Sequence, residues 1–136
     1  MHINKRLRLL VMDPDEATRT EIRAMAAQGF DIDIHPPRWP AAAVDAMAYD
    51  IVVIGVDTPA GLQVLADVCS RPAAPPVIGI AGACFEGKSL EHVLLLAEVR
   101  GAAATMTRPA SADEISFAIR AVLDLRKPVI AQQKRA

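Results

Sequence analysis

Apolar residues fall into three short runs that do not alternate with polar ones: Leu7 to Met12, Ile51 to Val56 and Val77 to Ile80. Runs of this kind mark strands buried on both faces of a parallel sheet. Phe30-Asp31-Ile32-Asp33-Ile34 does alternate, which suits an edge strand with one wet face. Ala103 to Thr107 is a fifth strand candidate that stops before Pro109. Helical spacing takes over between the strands. Ala17, Ile22, Met25 and Ala26 predict a helix over Asp15 to Gln28, closed by Gly29. Ala41 to Ala48, Gly61 to Cys69, Lys88 to Arg100 and Ser111 to Leu125 read as four more. The last has Ile115, Ala118, Ile119, Val122 and Leu123 on one stripe and a Ser111/Glu114 capping box at its start.

Five strands alternating with five helices predict an α/β doubly wound sheet, because parallel neighbours need a crossover and right-handed crossovers cover both faces. A chain of 136 residues suits one domain, placed at residues 1 to 125, with residues 126 to 136 a short basic tail or cut linker interrupted by Pro128. Hydrophobic residues at 52% exclude a disordered chain, and charged residues at 23% exclude a membrane bundle. The net charge of −1 lacks the excess expected of a protein that grips phosphate backbones, so neither nucleic acid nor membrane is an expected partner. Asp13 and Asp15 end the first apolar run before a signal-peptide core can form, so a cytoplasmic location is expected. Cys69 and Cys84 form no C-x-x-C pair and read as small hydrophobes, while His35 and His92 lack companion ligands, so no metal site is expected from them.

A sheet of this class places its functional site beyond the carboxyl ends of the strands, where the strand order reverses. The first strand ends in Asp13-Pro14-Asp15 and the third in Gly55-Val56-Asp57-Thr58-Pro59. The fourth ends in Ala81-Gly82 and the fifth in Thr107-Arg108-Pro109. This joint order resembles the response-regulator receiver family from about Arg6 to Leu125. Tyr49 to Val56 is similar to the family's third strand, whose last segment carries the phosphoaccepting aspartate; Gly55 stands there. Gly101-Ala102 to Arg108-Pro109 is similar to the segment in which a lysine pairs with the phosphoryl group before a cis-proline; Arg108 stands for the lysine. The resemblance implies a flavodoxin-like sheet of order 2-1-3-4-5 and a place in a bacterial two-component or phosphorelay system.

The departures from the family pattern are concerted. Of the two acids that hold a divalent cation in the family, only Asp13 remains, since Pro14 takes the second place. Gly55 has no side chain to attack a phosphodonor. Ala81 replaces a hydroxyl residue that bonds the phosphoryl oxygen, and Thr105 replaces the aromatic whose rotamer reports the site's state. The turn after the third strand is shorter than usual, and Ala81 to Leu90 is longer.

Several residues carry two readings. Asp57 caps the next helix or begins the Thr58-Pro59 turn; alternatively it shares a strand face with Gly55 and serves as a displaced phosphoacceptor. Asp13 and Arg108 are candidates for an ion pair that fills the site without metal. Gly79, Gly82 and Gly87 fit no phosphate-loop spacing and read as loop flexibility. Trp39, in a proline-rich loop, either anchors a partner or packs over the edge strand. In the helix from Lys88 to Arg100, Leu90, Val93, Leu94 and Ala97 form one stripe; Leu95, Leu96 and Val99 form a second, covered by a neighbouring element or left for a partner.

These readings lead to an atypical receiver that lacks the phosphoacceptor, is not an enzyme, needs no cofactor and acts by protein-protein contact. Its expected interface is a homodimer or a signalling partner on the fourth helix, fifth strand and fifth helix. One alternative is phosphorylation at Asp57 or Asp13 with Mg²⁺, Asp13 being the weak metal candidate. Another is a small anionic ligand beside Arg108 in the space left by Gly55 and Ala81.

Overall fold

The computed structural model describes residues 6–35, 45–83 and 85–125. Five strands, β1 (Leu7–Met12), β2 (Phe30–Ile34), β3 (Ile51–Gly55), β4 (Val77–Ala81) and β5 (Ala104–Thr107), form one parallel sheet of order β2-β1-β3-β4-β5. Among the described residues four α-helices flank the sheet: α1 (Glu16–Ala24), α2 (Pro59–Cys69), α3 (Leu90–Val99) and, after β5, α4 (Ala112–Leu125). The segment expected as a helix from Ala41 to Ala48 lies partly outside the described residues, and its described part is a single 3-10 turn, Ala46–Ala48. Trp39, Cys84 and the expected tail from residue 126 also lie outside them.

The unalternating runs are apolar at nearly every position, the exposed Arg8 of β1 excepted, because each strand feeds two cores. Leu9, Val11, Ile51, Val53, Ile78 and Ile80 face α1 and α4, meeting Ile22, Phe30, Ile115 and Ile119. Their neighbours Leu10, Met12, Val52, Ile54 and Val77 face α2 and α3, meeting Leu62, Leu65, Val93 and Ala97. Side chains alternate along a strand, so this parity sets which face each residue beyond a strand end will serve. Asp13 continues the Leu9, Val11 series, and Gly55 continues Ile51, Val53. Register pairs Met12 with Ile54, which brings the next residues, Asp13 and Gly55, side by side.

Local chemistry fixes the ends. Asp15 caps α1, accepting from Thr18 N at 2.9 Å and Thr18 Oγ1 at 2.7 Å. Helix α1 tightens into a 3-10 turn over Met25–Gln28 and stops at Gly29, whose φ of 97° favours glycine. Ser111 and Glu114 bond reciprocally at 3.1 Å at the start of α4. Tyr49 Oη donates to Asp33 at 2.6 Å, tying edge strand β2 to the entry of β3.

Candidate functional site

Strand order reverses between β1 and β3, because β1 pairs with both β2 and β3. At that point Asp13 is fully buried and Arg108, from the loop after β5, lies across it with 12% of its side chain exposed. Arg108 Nη2 donates to Asp13 Oδ1 at 2.6 Å and Nη1 to Asp13 Oδ2 at 2.7 Å, a bidentate fork. Nη2 also donates to Asp57 Oδ1 at 2.8 Å, Nε to Asp57 Oδ2 at 3.3 Å, and Nη1 to the buried Thr18 Oγ1. A guanidinium has five N–H donors, and these five bonds use them all. Asp15 adds charge at 3.5 Å.

Asp57 holds a second set of partners. Its Oδ2 accepts from the backbone N–H groups of Gly82 at 2.7 Å and Ala83 at 3.1 Å. Thr58, not Asp57, caps α2, accepting from Gly61 N at 3.1 Å. The expectation that Asp57 serves as a cap is therefore replaced: strand parity carries its carboxylate to the Gly55 side, and the next residue supplies the hydroxyl for the helix.

These contacts set the protonation states. Burial pushes the Asp57 carboxyl up, but bonds from Arg108, Gly82 and Ala83 outweigh it and hold the acid below 3.8. Hydrogen bonds from Thr18 hold Asp15 below 3.8 as well. Burial alone lowers the pKa of Arg108, but Asp13 and Asp57 more than reverse this and push it above the ordinary arginine value.

Two glycines make room for the arginine. A Cβ on Gly55 would stand 2.5 Å from Asp13 Oδ1 and 3.0 Å from Arg108 Nη2. A Cβ on Gly82 would stand 2.8 Å from Arg108 Cβ. The loop-flexibility reading of Gly82 gives way to close approach, and Gly79 lies inside β4.

The other expected site residues divide. Ala81 is fully buried and its carbonyl accepts from Arg108 N at 3.0 Å. Pro14 and Pro109 line a cleft of about 1020 Å³ beside Arg108, and the Arg108-Pro109 bond is cis. Thr105 lies elsewhere, in a groove between α3, β5 and α4 that it lines with Leu94, Met106 and Phe117. Leu95 and Val99 are exposed, at 56% and 74%. Leu96 is not available as expected: it is half-buried against the core that holds Leu65 and Val68 of α2. Thr18, Ala83 and the exposed Phe117 join the set without having been singled out from the sequence, and Gly82 joins it in a new role, as an amide donor. Thr18 was signalled by its place three residues after Asp15, and Phe117 by lying off the Ile115, Ile119 stripe.

The residues do not fit the divalent cation that the resemblance implies. Both oxygens of Asp13 already face Arg108, Pro14 offers no carboxylate, and the guanidinium charge stands where a cation would need to be. Among the described residues no group of three or more His, Cys, Asp or Glu is arranged to hold a metal ion, and no helix is long and apolar enough to cross a membrane.

No protein-family model and no curated protein sequence matches the chain. Solved structures do. NtrX from Brucella abortus is 19% identical with a TM-score of 0.73, over 96% of this chain and 30% of NtrX. A response regulator from Thermotoga maritima is 13% identical with a TM-score of 0.68, over 88% of this chain and 98% of that one. An orphan response regulator of H. pylori is 18% identical with a TM-score of 0.66, over 88% and 98%. The fold is the response-regulator receiver fold. This chain thus spans less than a third of NtrX but nearly the whole of the two shorter regulators. Within the receiver fold, the expected flavodoxin-like order 2-1-3-4-5 is the one observed.

Proposed function

We propose that this chain is an atypical receiver of a bacterial two-component or phosphorelay system, acting by phosphorylation-independent protein contact and not as an enzyme. The observation that carries the reading is the Arg108 fork on Asp13 beside Gly55. No nucleophile stands at Gly55, and the space one would need lies within 2.5 Å of Asp13 Oδ1. Asp57 is a poor substitute nucleophile, because each of its oxygens already accepts from a cation or an amide. An anionic ligand beside Arg108 is likewise disfavoured, since the guanidinium has no donor left to offer it.

The contact surface proposed is the face of α3, β5 and α4, for a second copy or a signalling partner. Leu95, Val99 and Phe117 are large apolar side chains left in water there, and Leu94 and Met106 line the groove. Incubation with a small phosphodonor and Mg²⁺, followed by intact-mass spectrometry, tests the reading. The expected result is no phosphoryl mass gain while a control receiver is labelled in the same buffer. A gain that disappears in Asp57→Ala would establish the displaced-acceptor alternative instead.

A further inference from the structure

Two consecutive backbone amides and a guanidinium aimed at one point make an oxyanion receptor, the arrangement that binds phosphate and carboxylate groups in many proteins. Such a receptor exists here, formed by Gly82 N, Ala83 N and the Nε and Nη2 edge of Arg108, and the chain's own Asp57 carboxylate is seated on it. We propose that Asp57 is a built-in anion that fills an oxyanion cradle, fastening the start of the loop after β4 to Arg108 in place of an external oxyanion. The inference rests on the receiver reading above and deepens it by naming what replaces the regulatory ligand.

Three features support it. Asp57 comes from the turn after β3, Gly82 and Ala83 from the loop after β4, and Arg108 from the loop after β5, so the carboxylate joins three segments just beyond the last backbone bonds between the strands, Val56 N to Ile80 O and Arg108 N to Ala81 O. Gly82 admits the arginine stem, since any Cβ there would stand 2.8 Å from Arg108 Cβ. The anion's charge is matched as well. Arg108 carries one positive charge against Asp13 and Asp57, so the second carboxylate needs the amide pair to share its load. Emptying the cradle leaves four donors without an acceptor: two amides and the Nε and Nη2 protons that faced Asp57. A tetrahedral oxyanion satisfies that set.

Hydrogen exchange by NMR on the full chain, with inorganic phosphate as the probe, tests the proposal. In Asp57→Ala the Gly82 and Ala83 amides are expected to exchange about tenfold faster than in the parent, the scale of losing a charge-assisted acceptor. Millimolar phosphate should restore their protection in the variant and leave the parent unchanged. Unaltered exchange in the variant, or phosphate acting equally on both proteins, would overturn the proposal. A measurement on the unsubstituted protein covers a variant that does not fold. There the Gly82 and Ala83 amide shifts should follow the Asp57 carboxyl carbon through one shared acid transition, and independent titration would refute the cradle. Neither readout depends on whether phosphodonors label the protein, so it fails separately from the function proposed above.

Discussion

At Gly55, one missing side chain accounts for the geometry of its neighbours. The absent Cβ leaves room for a buried arginine-carboxylate fork, and that fork in turn forbids the Cβ. Gly55→Ala should therefore destabilise the fold by about 1–3 kcal/mol, the usual cost of overpacking, as read by urea denaturation. Combining it with Asp13→Ala should recover part of that cost in a double-mutant cycle, because the 2.5 Å contact is then gone. Gly55→Asp should not restore a phosphoacceptor for the same reason. Arg108→Met removes the cation that forks the fully buried Asp13 and should cost about 3–5 kcal/mol. The pairing of Asp13 with Arg108 was legible in the sequence from strand ends and charge sign. The role of Asp57 was only half legible: parity places it correctly, but its amide partners belong to a loop whose path no local pattern specifies.

Helix α3 shows what a sequence stripe does and does not say about an element. Leu95, Leu96 and Val99 form one apolar set in sequence, yet Leu96 lies three residues after the buried Val93 and so turns toward α2, while Leu95 and Val99 face water. The neighbour that divides the stripe is tertiary, which is why spacing alone could not divide it. Leu95→Asp with Val99→Lys should leave folding stability within about 0.5 kcal/mol of the parent. The pair should abolish the contact proposed for the α3 face, read by sedimentation equilibrium for a second copy of the chain. Leu96→Ala should do the reverse, lowering stability by about 1–2 kcal/mol with association intact. Strand and helix existence was readable because buried strands and amphipathic helices differ in period. The described part of the segment Ala41 to Ala48 departs from the expected helix: alanines permit helix, but Asp45 Oδ1 accepts from Met47 N and the chain makes a single 3-10 turn before β3.

For the whole molecule, two ends of the pH scale should act through different anchors. Asp15 and Asp57 are held below 3.8 in the fold, so their ionised forms are favoured there. Their contribution is complete above pH 3.8 and is lost as pH falls through the lower folded values. Denaturation midpoints followed by circular dichroism should be flat near neutrality and fall on the acid side, less steeply in Asp57→Asn. At the alkaline end the single tyrosine, Tyr49, is pushed from 10.0 to about 12 by burial and by its bond to Asp33. Here the protonated form is favoured, so its stabilisation is present below pH 10.0 and is lost as pH rises toward 12. Tyrosinate absorbance should therefore titrate near pH 12 in the parent and lower in Asp33→Asn.

The exhausted donors of Arg108 also have a mechanical meaning. Its five protons are committed together to Asp13 after β1, Asp57 after β3 and Thr18 in α1, while the same loop hangs from Ala81 in β4. These shared bonds couple the segments, so the upper rim of the sheet is expected to open cooperatively, with the arginine as its latch.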